Sequence, residues 1–131
     1  MNINKKIALL ILPISFSIFS ASVFSAPQQC LRNALITAVE VGKADTSSKE
    51  CPDDGNCIRF QYKNNTASGM PASGRSFVHY QMNLNDGQKG MAMYDLLKTA
   101  MIMGYKVEAY SDISACNTSS PSISAVKVYG G

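Results

Sequence analysis

Gln88–Tyr110 reads Q-K-G-M-A-M-Y-D-L-L-K-T-A-M-I-M-G-Y-K-V-E-A-Y. Gln88–Met103 is built of strong helix formers, with Met93, Leu96, Leu97, Ala100 and Met101 at three-and-four spacing along one face. Asn85 or Asp86 is positioned to cap this helix, because a side-chain oxygen there accepts from the first free backbone N–H groups. Gly104 ends it as a left-handed residue would. Tyr105–Tyr110 then alternates as a strand. Upstream, Leu35–Val41 is rich in β-branched residues and stops at Gly42. Ile58–Lys63 sets Ile58, Phe60 and Tyr62 against Arg59, Gln61 and Lys63, and Ser76–Leu84 alternates through Phe77, His79, Met82 and Leu84. Downstream, Ser122–Tyr129 is the last alternating run. Lys43–Asn56 and Asn64–Gly74 are turn chemistry between strands. The order strand, strand, strand, helix, strand, strand predicts a mainly β fold with one helix. A five-stranded barrel whose helix lies between strands three and four is the OB fold, which binds oligosaccharides or oligonucleotides.

Residues 1–25 have the three parts of a secretory signal peptide. Lys5 and Lys6 give a positive start, Ile7–Phe19 is mostly apolar, and small residues follow to a cleavage site after Ser25, with Ala26 the next choice. Pro13 breaks the apolar run, which is shorter than the about 20 residues a spanning helix needs. No later stretch reads as a span, so the expectation is a soluble domain at 26–131, exported to or through the periplasm, without membrane insertion. Losing Lys5 and Lys6 lowers the formal charge from +3 to +1. No basic run remains to suggest nucleic-acid binding.

Cys30, Cys51, Cys57 and Cys116 all lie beyond the leader. Four cysteines in an exported chain read as two disulfides, with three pairings open. Cys51 and Cys57 bracket the turn-forming run Pro52-Asp53-Asp54-Gly55-Asn56, which is easiest to close locally. That leaves Cys30 with Cys116, a long loop whose closure is worth about 4 kcal/mol on chain-entropy grounds. The spacings do not fit a zinc site, and no metal or other cofactor is expected.

Several stretches together resemble the B subunits of bacterial A–B toxins with pentameric B rings. A-P-Q-Q-C at Ala26–Cys30, G-Q-K-G-M-A-M-Y-D-L-L-K-T-A at Gly87–Ala100 and N-T-S-S-P-S-I-S-A-V at Asn117–Val126 are similar to cholera-type and heat-labile-enterotoxin B subunits. I-T-A-V-E-V-G-K-A-D-T-S at Ile36–Ser47, C-I-R-F-Q-Y-K-N-N-T-A-S-G-M-P at Cys57–Pro71 and Leu96–Tyr110 are similar to subtilase and pertussis-like B subunits. The resemblance implies that the early and late cysteines pair. It also implies a homopentamer whose helices line a pore, host-cell glycans as receptors, and an enzymatic A subunit as partner.

The cholera-type sugar pocket uses a Trp and a Lys soon after the late cysteine. Here that run is Asn117-Thr118-Ser119-Ser120, and the chain has no Trp. In the subtilase and pertussis-like subunits a sialic-acid pocket lies on the barrel side, built from a Ser before strand one and polar residues after strand two. By that resemblance the glycan-binding residues are Lys63, Asn64, Asn65, Thr66 and Ser68, with Arg32 or Asn33 standing where the family has its Ser. A lysine can pair with a sialic-acid carboxylate while hydroxyls and amides hold the remainder.

Other chemistry has little to build on. His79 is the only histidine and sits in a strand pattern, as a core or interface residue does. With every cysteine wanted for a disulfide, no catalytic constellation can be assembled, and the chain does not read as an enzyme. Asp45, Asp53 and Asp54 lack the EF-hand loop pattern and read as turn residues. Asn64-Asn65-Thr66 and Asn117-Thr118-Ser119 match the glycosylation sequon, and the bacterial source that the resemblance implies makes these chance matches. The expectation is a glycan-binding B subunit. Its rivals are a monomeric secreted or periplasmic OB-like binding module and, behind that, a small secreted enzyme or inhibitor.

Overall fold

The computed structural model describes residues 26–42, 51, 57–79, 82, 84, 86–113, 116 and 122–130. The expected leader, the loop at 43–56 apart from Cys51, Asn85 and the run at 117–120 lie outside the described residues. Hydrophobic alternation produces β1 (Gln28–Val41), β2 (Ile58–Lys63), β3 (Gly74–Val78), β4 (Lys106–Ser111), β5 (Ser122–Ile123) and β6 (Ala125–Tyr129), with one helix, α1 (Gln88–Met103). The molecule is mainly β with one helix. Its strands form one mixed, curled sheet in the order β5-β3-β2-β1-β4-β6, a half-barrel. All neighbours are antiparallel except β3 and β5.

The two edge strands are consecutive in the chain. Only Ser124 separates β5 from β6, and its N–H donates to the Tyr110 carbonyl at 2.9 Å. The expected single strand Ser122–Tyr129 is therefore divided. Its first part pairs with β3 and its second with β4.

Leu31, Ile58, Phe60, Val78, Leu97, Val107 and Ile123 are fully buried on the concave side. Each such side chain contributes about 1.5–3 kcal/mol by leaving water. The helix closes over this core with Gly90, Met93, Leu97 and Ala100, while Met101 packs partly against it. Leu96 departs from the expected face and is 40% exposed. The helix ends as expected at Gly104, which is left-handed at φ 67°. It begins otherwise. Its N-cap residue is Gly87, which has no side-chain cap hydrogen bond. The chain enters through Gly87 at φ 82°, a conformation open to glycine because it lacks a Cβ.

Two further strands differ from expectation. β1 starts at Gln28 rather than Leu35, because two bulges interrupt its pairing with β4 and erase the alternation that marks a strand. β3 stops at Val78 rather than Leu84. The Met82 N–H bonds back to the His79 carbonyl at 2.8 Å, so the chain turns, and Met82 and Leu84 cover the core from outside the sheet.

Disulfides join Cys30 to Cys116 and Cys51 to Cys57, with Cα separations of 4.9 and 4.7 Å. Both fit an extracellular or periplasmic protein. Among the described residues no helix is long and apolar enough to cross a membrane.

Candidate functional site

The first half of β1 builds the most distinctive surface. Leu31 pairs with Ala109 and Ala34 with Val107, so Arg32 and Asn33 together face the single residue Glu108. Asn33 takes up the extra length in the left-handed region at φ 52°, where asparagine is better tolerated than most residues. The bulge frees the backbone of Arg32 from the ladder with β4, and the loop after β2 captures it. Arg32 N–H donates to Asn65 Oδ1 at 3.0 Å. The Thr66 N–H and hydroxyl both donate to the Arg32 carbonyl, at 3.0 and 3.2 Å.

Asn65 is the hinge pin of this junction. Its Oδ1 also accepts from the Ala67 N–H at 3.0 Å, and its Nδ2 donates to the Pro71 carbonyl at 3.3 Å. At 8% exposure it supports the surface from beneath. Asn64, left-handed at φ 59°, turns the chain into the loop. A Cβ at residue 74 would lie 2.9 Å from the Tyr62 hydroxyl, so any larger residue there would have to shift the buried Tyr62 side chain. Arg32, Asn33, Lys63, Asn64, Thr66 and Ser68 are exposed. Of the seven expected residues, six face solvent; Arg32 is tied directly to Asn65 and Thr66, and Asn33, Lys63, Asn64 and Ser68 flank these along the chain.

The surface continues onto β4 and β6, through residues that spacing alone did not reveal. Arg32 Nε donates to Gln29 Oε1 at 2.9 Å, and Gln29 Nε2 donates to the Tyr110 hydroxyl at 3.2 Å. Tyr110 donates to Glu108 Oε2 at 2.8 Å, and Lys127 Nζ lies 3.5 Å from the same carboxylate oxygen. Lys127 also sits 5.5 Å from the centre of the Tyr129 ring, whose hydroxyl donates to Asn33 Oδ1. The chain of contacts returns to the bulge where it began. Glu108 is held below the usual carboxylate range, first by the Tyr110 hydroxyl and then by Lys127. Reciprocally, that carboxylate and burial push the Tyr110 phenol up. The signal available in the sequence was alternation. In Y-K-V-E-A-Y and A-V-K-V-Y the residues opposite the apolar ones share one outer face.

A second concavity, of about 310 Å³, lies between α1 and β6. Met82, Met93, Leu96 and Val126 line it, with Lys89 and Ser124 as its polar members. Sugar recognition needs several convergent hydrogen-bonding groups, which the β1 surface has and this groove lacks. His79 is buried, with its backbone N–H donating to the Ile123 carbonyl at 2.9 Å. Among the described residues no three His, Cys, Asp or Glu side chains are placed to share a metal ion. Compared with known protein families, with curated proteins and with solved structures, the chain matches none.

Proposed function

We propose that this chain is the glycan-binding B subunit of a secreted bacterial A–B toxin, assembling as a homopentamer and delivering an enzymatic A subunit. One observation carries the reading. The bulge at Arg32–Asn33 and the loop at Asn64–Ser68, more than thirty residues apart in sequence, are tied by three hydrogen bonds into one exposed polar surface. These are the two segments that the resemblance assigns to the sugar pocket.

Two further features support it. Because β5 and β6 are one segment broken at Ser124, the sheet is read as a five-stranded barrel in OB order, joined along the β3 and β4 edges. The helix leaves Met91, Leu96, Ile102 and Met103 between 40% and 70% exposed, an apolar surface suited to burial between copies. The leader at residues 1–25 supplies export, and the disulfides suit the destination.

The test is a glycan array with purified, oxidised protein, paired with native mass spectrometry. Mass near five chains and saccharide binding that falls at least tenfold in Arg32→Ala and Thr66→Ala support the reading. A clean monomer that binds saccharide supports the monomeric module instead, and absence of saccharide binding removes the glycan role.

A further inference from the structure

Resting on that glycan-binding reading, we propose that the receptor is a multiply charged, sulfated saccharide, and that Lys106, Lys127 and Tyr129 extend the site to hold it. The sheet register aligns the parts. Leu35 pairs with Lys63 on one side and Lys106 on the other, and Lys106 pairs with Tyr129. Lys63, Leu35, Lys106 and Tyr129 therefore form one row across β2, β1, β4 and β6. All four face outward, because Tyr62, Ala34, Val107 and Val128 beside them face the core. The adjacent row carries Arg32 and Asn33 opposite Glu108, and Glu108 opposite Lys127.

Four cations thus share these rows with one carboxylate, and Glu108 is already engaged by Tyr110 and Lys127. These five side chains sum to +3, against +1 for the whole chain beyond residue 25. Spacing selects the ligand. Lys63 and Lys106 are two strands apart, about 10 Å, and residues two apart along a strand are separated by about 7 Å. Cations so spread do not converge on one carboxylate. They match anionic groups repeated along a chain. Tyr129 offers a ring face for a pyranose, and Asn33, Thr66 and Ser68 offer partners for hydroxyls. The disulfides favour a saccharide over a nucleic acid, since they suit the compartment where sulfated polysaccharides are met.

The experiment is calorimetric titration of the full oxidised protein with a heparin-derived hexasaccharide, its fully desulfated counterpart, sialyllactose and a single-stranded oligonucleotide. The sulfated hexasaccharide should bind at least tenfold more tightly than the other three. Lys63→Gln with Lys106→Gln should weaken it about tenfold or more and reduce the salt slope by roughly 1–2, from the lost counterion release. Lys98→Gln on the helix should change neither. Equal binding of the desulfated sugar, or an unchanged double variant, would overturn the proposal. If sialyllactose then binds through Arg32 and Thr66, the glycan reading survives without it. If the oligonucleotide alone binds, or nothing does, both fall.

Discussion

The two ends of β1 use similar residues to opposite purpose. At the far end Glu40 takes the Arg59 guanidinium, with Arg59 Nε donating at 2.7 Å, and Gln61 Nε2 reaches the other carboxylate oxygen at 3.4 Å. Arg59 also lies over Phe77, which packs with the Cys51–Cys57 bridge, and its side chain is only 11% exposed. That arginine is sealed into the wall. At the near end Arg32 is exposed, holding Gln29 with its side chain while its backbone is gripped by the loop. The difference lies in backbone register. Around Glu40, Val39 to Val41 pair residue for residue with β2, whereas Arg32 and Asn33 share one partner. Regular pairing turns charge inward to a neighbour. A bulge turns it outward to solvent.

The disulfides sharpen this contrast most. Replacing Cys30 and Cys116 together with Ser should cost about 4.5 kcal/mol by the loop-entropy relation, against about 2 kcal/mol for Cys51 and Cys57, seen as shifts in the urea midpoint. Next, Asn65→Ala leaves the Arg32 and Ala67 N–H groups without their partner. It should cost about 3 kcal/mol and also lose saccharide binding. Arg59→Met at the far end should cost about 2 kcal/mol in the same denaturation assay yet leave binding unchanged. Binding lost in Arg59→Met would break the division between the two ends.

Smaller effects probe the bulge itself. Asn33→Ala should lose about 1 kcal/mol and Asn33→Gly almost none, because only the former strains the left-handed backbone. Both remove the acceptor for Tyr129, so binding should fall in each. The least effect concerns Glu108. Its carboxyl is held below its ordinary 4.5, so its contribution is present above that value and fades as pH drops through the lowered one. Wild type should therefore melt above Glu108→Gln near neutrality, with the gap closing in acid. A constant gap would remove the charge from that argument.

Much of this was legible in the sequence where one period held without interruption. Ile58–Lys63 and Gln88–Met103 form over the expected residues because each keeps one periodicity throughout. Gln28–Ala34 was not legible as strand. Cys30 and Leu31 are both buried and Arg32 and Asn33 both exposed, a pattern that bulging makes and alternation does not. Met82 and Leu84 imitate a strand because a turn also delivers apolar residues to the core. The polar loop was visible as composition. Its tie to Arg32 was not, since that contact is made by backbone groups whose availability depends on register. Glu108, Tyr110, Lys127 and Tyr129 became a unit only once β6 was seen to lie beside β4.

The break at Ser124 has a kinetic side. Until Ser122–Tyr129 docks, β3 and β4 both present unpaired edges, and the segment that covers them holds the last two of the described strands. β1 in turn waits for β4, which lies more than sixty residues further on. Such distant pairings make closure slow, in the range of milliseconds to seconds typical of small β barrels. During that delay the open edges invite strands from other molecules. The sheet thus remains incomplete until Ser122–Tyr129 has docked, and the bond between Cys30 and Cys116 then records that two distant parts of the chain have met.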